Sequence, residues 1–227
     1  VVADVARGDG TDYSAFHEID IDDCSQVAEY RGQLTPKEFG NMLVAVATEY
    51  NDALLVIENA NVGWGSIQSA IDRDYKNLYY TYKQDGVVDA TTQLTKGYDL
   101  KAKTQLTRGF TTSAKTRPLL ISKIDIYFRE KSFIVRSKRL LDELLVFIWN
   151  GHKAEAQSGY NDDLVISLGI GLWVRDTALK LRNEGISLNR RALNSISKTG
   201  VYSSVNPNTD WSMKIKGNDE DISWLIK

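Results

Sequence analysis

Four acidic residues stand in sequence contexts where a charge is costly unless it has a partner. Asp4 lies inside an apolar run at the start of the chain, Glu58 ends a second apolar run, and Asp162 and Asp163 directly precede a third. An unpaired carboxylate in such a setting costs several kcal/mol or more, so each must be paired or bind a cation. Carboxylate oxygens suit Mg²⁺ or Mn²⁺, and two such ions about 3.5–4 Å apart support phosphodiester hydrolysis by water.

Each of these acids also has an ordinary structural interpretation. Asp162 could cap its helix, Glu58 could form a salt bridge, and Asp4 could lie at a frayed strand end. The combination is more informative than any one member, because an acid on a first strand, an acid ending a central strand and an acidic pair before a helix can meet at one edge of a sheet. Several carboxylates are also what two cations require, since one ligand must bridge both.

The composition excludes several other chemistries. The chain has 227 residues, of which 42% are hydrophobic and 26% charged, so it can bury a core and form one large domain. Cys24 is the single cysteine, and with His17 and His152 it is too little for an internal disulfide or a Cys/His zinc site. The sequence has no P-loop motif, and no apolar run reaches the roughly 18 residues that span a bilayer. A cytosolic setting is the simplest interpretation.

Charge is segregated along the chain although the formal net charge is only −2. Residues 1–25 contain seven acids and one base, whereas residues 101–139 contain eleven bases and two acids. This distribution suits a protein that holds a cation in one place and a polyanion in another. Solvated helix faces would also account for it.

The order of elements predicts an α/β fold. Strands are predicted near residues 1–6, 13–21 and 27–30, followed by a helix that begins at Thr35–Glu38 with a capping box. A buried strand over 53–57, a helix over 62–72 and a strand over 78–82 come next. Further along, we predict a helix over 113–131, a short strand over 133–135, a short helix over 137–144, a strand over 146–150 and an apolar helix from Leu164 to about Leu181.

Two segments lack this regularity. Residues 83–110 are rich in Gly, Thr, Asp and Lys, and we interpret them as a long loop or hairpin of the kind that is often functional. From Glu184 onward the chain is polar, and we predict an irregular extension that packs on the domain or belongs to an interface. The predicted organisation is therefore one domain over residues 1–183 and an extension over 184–227. A buried strand at the first residue also suggests a piece of a longer protein.

Four blocks of sequence resemble the nuclease domain of tailed-phage terminase large subunits, and most closely the myovirus type. They are Val1–Gly8 with Asp12–Phe16, Leu55–Gly63, Thr112–Pro118 and Gly159–Val165. The resemblance covers roughly residues 1–175, with the blocks in the family's order. It implies an RNase H/resolvase/integrase-like fold, with a mixed β-sheet of five or six strands flanked by helices. The first three strands are expected to be antiparallel and the later strands parallel.

The resemblance also implies a function. Such domains cut concatemeric double-stranded DNA at the initiation and completion of packaging, in the cytoplasm of the infected bacterial host. They use Mg²⁺ or Mn²⁺, with two ions expected, and work with a portal protein and a small terminase subunit. No membrane is involved. The family's ATPase domain has no counterpart in this sequence, so ATP binding is not predicted.

The family's metal ligands fall by motif on Asp4, Glu58 and one of Asp162 and Asp163. We favour Asp163 because it immediately precedes the apolar helix, although the adjacent pair leaves the choice open. DNA would be held mainly through its phosphates. The candidates for those contacts are basic residues in or beside the long loop: Lys101, Lys103, Arg108, Lys115, Arg117 and Lys123.

Two other functions remain open on the sequence. The chain could be another RNase H-like nuclease, such as a Holliday-junction resolvase, which would prefer four-way junctions. It could instead be a non-catalytic module that docks on a capsid or portal protein, in which case the acids would only cap helices and form salt bridges.

Overall fold

The computed structural model describes residues 1–10, 12–60, 62–83, 105–151 and 153–198. The chain divides into two compact units, Val1–Lys180 and Leu181–Lys227. The first unit contains the sheet and its flanking helices. Of the second unit the structure describes residues 181–198, which are helical. Lys101, Lys103 and His152 lie outside the described residues.

The main sheet has four strands in the order β3-β2-β1-β4. They are β1 (Val2–Asp4), β2 (Ser14–Asp20), β3 (Ser25–Gly32) and β4 (Val56–Ile57). The pairs β1–β2 and β2–β3 are antiparallel, and β1–β4 is parallel. This is the predicted mixed arrangement, with three antiparallel strands followed by a parallel one.

Beyond β4 the backbone pairing continues as single bridges instead of a full strand. Leu55 bridges Leu78 and Glu58 bridges Phe110, both in parallel. The chain between these bridges forms an antiparallel hairpin stem, β5 (Tyr80–Lys83) with β6 (Gln105–Arg108). The hairpin interpretation of residues 83–110 is therefore confirmed for the stem, and residues 84–104 lie outside the described part of the chain.

Two helices pack together on one side of the sheet. The first, α1 (Pro36–Glu49), begins at the predicted capping box, in which the Thr35 side chain accepts from the Glu38 amide and the Glu38 side chain accepts from the Thr35 amide. The second, α2 (Gly63–Asp72), approaches α1 so closely that a Cβ on Gly40 would lie 2.6 Å from the carbonyl oxygen of Ser66. Phe39, Leu43 and Ile67 are fully buried between these helices and the sheet.

The remaining elements build a second part of the core. Helices α3 (Thr116–Arg129) and α4 (Lys138–Leu145) are followed by the hairpin β7 (Phe147–Asn150) and β8 (Lys153–Ala156), and then by α5 (Asp163–Lys198). The apolar start of α5 packs with α3, α4 and the strands, through Leu120, Leu140, Leu164 and Leu168. Every member of these clusters lies within the first unit.

Several sequence predictions need correction. The chain from Glu184 onward was predicted to be irregular, whereas α5 continues through Lys198. Residues 133–135 form a single bridge, Ile134 with Ser25, and not a strand. The sheet has four strands where five or six were expected, because the partners of β4 on its far side are isolated bridges. The strand over 146–150 was predicted without its antiparallel partner β8.

No helix among the described residues combines the length and the apolar character needed to cross a lipid bilayer.

Candidate metal centre

The register between β1 and β4 brings Asp4 and Glu58 together. Val2 pairs with Val56 and Ala3 with Ile57 in parallel, and the Glu58 amide donates to the Ala3 carbonyl at 2.9 Å. Asp4 and Glu58 are the next residues on the two neighbouring strands, so their carboxyl groups lie close enough for Glu58 to affect the pKa of Asp4. Folding therefore brings two carboxyl groups from distant parts of the sequence side by side, where their negative charges repel.

The electrostatics of Asp4 reflect this crowding. Burial raises the pKa of Asp4 well above its ordinary value, and the charge and hydrogen bond of Glu58 raise it further. The charges of Asp163 and Asp162 act in the same direction. The four acids that the sequence analysis selected are therefore close enough to influence one another, although they are spread over 160 residues of chain.

Asp162 and Asp163 have different surroundings at the start of α5. Asp162 forms a salt bridge with Arg117 near the start of α3, so its charge is compensated. Asp163 accepts hydrogen bonds from the Tyr13 amide at 3.4 Å and from the Asn161 side chain at 3.3 Å. Among the described residues, Asp163 forms no salt bridge with a basic side chain. The geometry thus favours Asp163 over Asp162 as a ligand for an added cation.

Burial also affects Asp163. It raises the pKa of Asp163 to about 6, and the charge of Asp162 adds to the increase. The hydrogen bonds from Asn161 and Tyr13 and the charge of Arg31 oppose that shift. At neutral pH Asp163 is thus ionised, at a cost that a cation would offset.

The donor chemistry fits a hard divalent cation. All four side chains offer carboxylate oxygens, which Mg²⁺ and Mn²⁺ prefer. As the side chains are oriented, however, no group of three carboxylate, histidine or cysteine side chains in the described part of the chain is ready to hold a metal ion. Asp4 and Glu58 lie side by side at the ends of paired strands, so a bound cation would offset the repulsion between their charges.

Close backbone packing fixes the end of β4. A Cβ on Gly63, the first residue of α2, would lie 1.8 Å from the carbonyl oxygen of Glu58. On the other side, the Asn59 amide donates to the Phe110 carbonyl at 2.8 Å. Gly109 has a φ of +83°, and a Cβ added to it would lie 2.4 Å from the carbonyl oxygen of Ile57. Glu58 is therefore held from both directions along the backbone.

The structure distributes the predicted DNA-contacting residues over different environments. Arg117 pairs with Asp162, and Lys123 pairs with Asp176 at 2.6 Å, so both positive charges are already compensated. Arg108, at the end of β6, and Lys115, just before α3, are exposed.

Sequence reasoning missed other residues beside the acids. Glu143 contacts the residue after Asp163, and Tyr13 contacts Asp163 itself. Arg31 contacts Glu143 and Tyr13, and its charge acts on Asp163. Nothing local in the sequence marks these three residues. A groove of about 360 Å³ between the start of α3 and the β7–β8 hairpin is also new, and it is lined in part by Arg117, Lys153 and the exposed Trp149. Asn150-Gly151 is a typical hairpin-turn dipeptide that could have revealed this hairpin.

Comparison with known proteins supports the same fold. No protein-family model matches the chain. Two crystal structures of the large terminase nuclease from thermophilic phage G20c resemble it, each over 75% of this chain and 77% of the other. The form with bound magnesium has 19% sequence identity and a TM-score of 0.54, and the form with bound cobalt has 20% and 0.53.

These similarities establish the fold class. The chain has a mixed α/β, RNase H-like fold, as the sequence predicted. Within that class, its solved structural neighbours are large terminase nucleases of a phage.

Proposed function

We propose that this chain is the metal-dependent endonuclease domain of a viral DNA-packaging terminase large subunit. It would cut concatemeric double-stranded DNA at the initiation and completion of packaging. The observation that carries the proposal is the convergence of Asp4, Glu58, Asp162 and Asp163 at one end of the β1–β4 pair. The shared fold of the phage terminase nucleases supports it.

In this proposal Asp4, Glu58 and Asp163 hold the divalent cations, with Asp162 beside them in its salt bridge with Arg117. Two Mg²⁺ or Mn²⁺ ions would activate the attacking water and stabilise the leaving oxygen of the phosphodiester. The carboxylates supply hard oxygen ligands and the negative charge that concentrates cations there. Water is the nucleophile, so no side chain becomes covalently attached to DNA.

The DNA would lie across the surface that carries the exposed Arg108 and Lys115, with Lys101 and Lys103 on the segment between β5 and β6. These contacts would be made to phosphates and would carry no base preference. Arg117 and Lys123 would contribute by limiting the negative charge of Asp162 and Asp176 next to the DNA backbone.

The partners in this proposal are those of a packaging assembly. A portal protein and a small terminase subunit would work with the chain in the cytoplasm of the infected bacterial host. The packaging ATPase would reside on another domain, since the chain shows no P-loop motif.

Plasmid cleavage with Mg²⁺ or Mn²⁺ tests the proposal. We expect Asp4→Asn, Glu58→Gln and Asp163→Asn each to lower the cleavage rate at least about 100-fold, because loss of even an outer-shell partner of a metal costs about 10- to 100-fold. Asp125→Asn is the matched control, since Asp125 is exposed and forms its salt bridge with Arg129 one helical turn away. It should cut like the parent.

Undiminished cutting by the three site variants would refute the site. Cleavage of four-way junctions in preference to linear duplex would favour a resolvase instead. If calorimetry shows that the parent binds no divalent cation, the proposal fails and a docking module remains.

A further inference from the structure

The backbone of Leu164, the residue after Asp163, is held by side chains at both of its polar groups. Its amide donates to Oε2 of Glu143 at 2.9 Å. Its carbonyl lies 2.9 Å from Nε2 of His17, which donates to it as the neutral tautomer whose Nδ1 accepts from Gln26. Leu164 and His17 are completely buried and Glu143 is only 4% exposed. The start of α5 is thus fixed by groups from β2 and α4.

Glu143 acts here as a helix cap supplied from another helix. The first amides of α5 have no partner within the helix, and the Glu143 carboxylate accepts from the amide of Leu164. A negative group is favoured at that position by the helix dipole. Its other oxygen lies 3.0 Å from the guanidinium of Arg31. With one oxygen bonded to the Leu164 amide and the other facing the positive charge of Arg31, we assign Glu143 a supporting role and not that of a ligand.

Arg31 leads back to the acidic centre. Its guanidinium carbon lies 4.4 Å from the centre of the Tyr13 ring, and the Tyr13 amide donates to Oδ2 of Asp163 at 3.4 Å. These contacts therefore form a closed ring of residues that includes Asp163. It runs from Tyr13 to Arg31, on to Glu143, and through the Leu164 backbone to Asp163 again.

We infer that Glu143 is a positioning residue for the metal centre, acting through the Leu164 amide to hold Asp163 in the orientation that binds a cation. This inference rests on the proposed function. It assigns to α4 a role in the site beyond its contribution to the core. Loss of the contact would let the first turn of α5 shift, and Asp163 would move with it.

Two variants distinguish the effect of the position of the Glu143 oxygen from the effect of its charge. Glu143→Asp keeps the negative charge near Arg31 but is one methylene too short to reach the Leu164 amide. Glu143→Gln loses the charge but keeps an oxygen acceptor of the same reach. We expect Glu143→Asp to weaken Mn²⁺ binding about 10- to 100-fold by calorimetry, as outer-shell substitutions typically do. Glu143→Gln should stay within about threefold of the parent.

A structural readout needs no metal. Amide hydrogen exchange of Leu164 in the cation-free protein should accelerate in Glu143→Asp and stay slow in Glu143→Gln. Leu140→Val is the matched control, because Leu140 is a fully buried residue of the same helix whose apolar side chain cannot accept a hydrogen bond from the Leu164 amide. This variant should lose stability without losing Mn²⁺ affinity.

The outcomes distinguish this inference from the proposed function. If the parent binds Mn²⁺ and Glu143→Asp binds it equally well, the positioning role is overturned while the nuclease proposal stands. The reverse pattern, with weak binding by Glu143→Gln only, would mean that the charge of Glu143 matters and its position does not, which also overturns the inference. If the parent binds no Mn²⁺, the proposed function fails and the inference fails with it.

Discussion

At the scale of single residues, the acidic centre holds carboxyl groups close together although their negative charges repel. The strand pairing holds Asp4 against Glu58, and burial together with the neighbouring charges raises the pKa of Asp4. When folding raises the pKa of a carboxyl group, the native state is destabilised at every pH above the pKa that the group has in the unfolded chain. The lost stability is regained as the pH falls through the pKa of the folded state. A bound cation relieves the same repulsion. The proposed cation site would therefore reduce stability when no cation is bound.

Asp4→Asn should consequently raise the melting temperature of the metal-free protein at pH 7, because it removes one of the repelling charges. The gain should shrink as the pH is lowered and Asp4 of the parent becomes protonated. Addition of Mn²⁺ should stabilise the parent, by about 2.7 kcal/mol at a concentration 100 times its dissociation constant, and leave the variant unchanged. Thermal unfolding at two pH values, with and without Mn²⁺, measures all three effects.

Asp125→Asn serves as the control here too, since it alters an exposed charge outside the site. A variant Asp4→Asn that is less stable than the parent and still gains stability from Mn²⁺ would contradict this account.

His17 provides a second prediction at the residue scale. Burial lowers the pKa of His17 from 6.5 to about 4, against the opposing effect of the Leu164 carbonyl. Between these two pH values the unfolded chain takes up a proton that the native protein does not, so stability falls as the pH drops from about 6.5 to about 4. The loss attributable to this group is at most about 3 kcal/mol.

His17→Gln keeps a donor and an acceptor but cannot be protonated. Unfolding by urea at pH 7, 5.5 and 4 should therefore show a smaller loss of free energy on acidification in the variant than in the parent. Comparison of the two proteins is required because Asp163 and Glu143, whose pKa values are raised, change the stability in the opposite direction. Parallel pH profiles would contradict the assignment of a neutral, buried imidazole.

At the scale of elements, the site depends on close packing of helices and strands. Helix α2 begins against the Glu58 carbonyl, and its position is in turn set by its contact with α1. In that contact, a Cβ on Gly40 would meet Ser66 and Ser69 at 2.6–2.8 Å, too close for any real side chain unless the helices separate. Glycine in a helix costs about 1 kcal/mol relative to alanine, so its presence here needs such a reason.

Gly40→Ala should lower the free energy of unfolding by about 1–3 kcal/mol, since overpacking outweighs the gain in helix propensity. Gly185→Ala, in α5, is the matched control because no atom lies within 4 Å of its added Cβ. The control should be neutral or slightly stabilising. Urea denaturation of both variants measures the difference, and equal effects of the two substitutions would be inconsistent with a tight α1–α2 contact.

The accuracy of the sequence predictions depends on how local each signal is. The start of α1 was predicted because Thr35, Pro36 and Glu38 determine it through contacts within one turn. The acids Asp4, Glu58 and Asp163 were selected because each is a charge within or directly beside an apolar run. Glu143 was not found because its sequence context is that of an ordinary amphipathic helix. Only the folded chain reveals that it reaches the Leu164 amide, 21 positions along the sequence.

At the scale of the whole molecule, the core and the acidic centre belong to the same unit. The buried clusters and all four acids lie within Val1–Lys180. Folding of that unit and the ability to hold a cation should therefore not depend on the residues that follow it. The domain boundary after residue 183 stays a prediction, and it can be tested directly.

A chain ending at residue 183 should unfold cooperatively, with a melting temperature within a few degrees of the full chain. It should bind Mn²⁺ with the same affinity, because none of the predicted ligands is removed. Calorimetry of both chains, with Asp163→Asn of the shorter one as a negative control for binding, checks the two expectations together. A shorter chain that fails to fold would place part of the core beyond the boundary.

The pairing of Ala3 with Ile57 limits how the sequence of these two strands can evolve. Adding or deleting a single residue in either strand would reverse the facing of every side chain beyond that point. Buried apolar groups would then exchange places with the acids. Substitutions can accumulate in these two strands, but changes of length cannot, and variation in length among related chains should be confined to the connections.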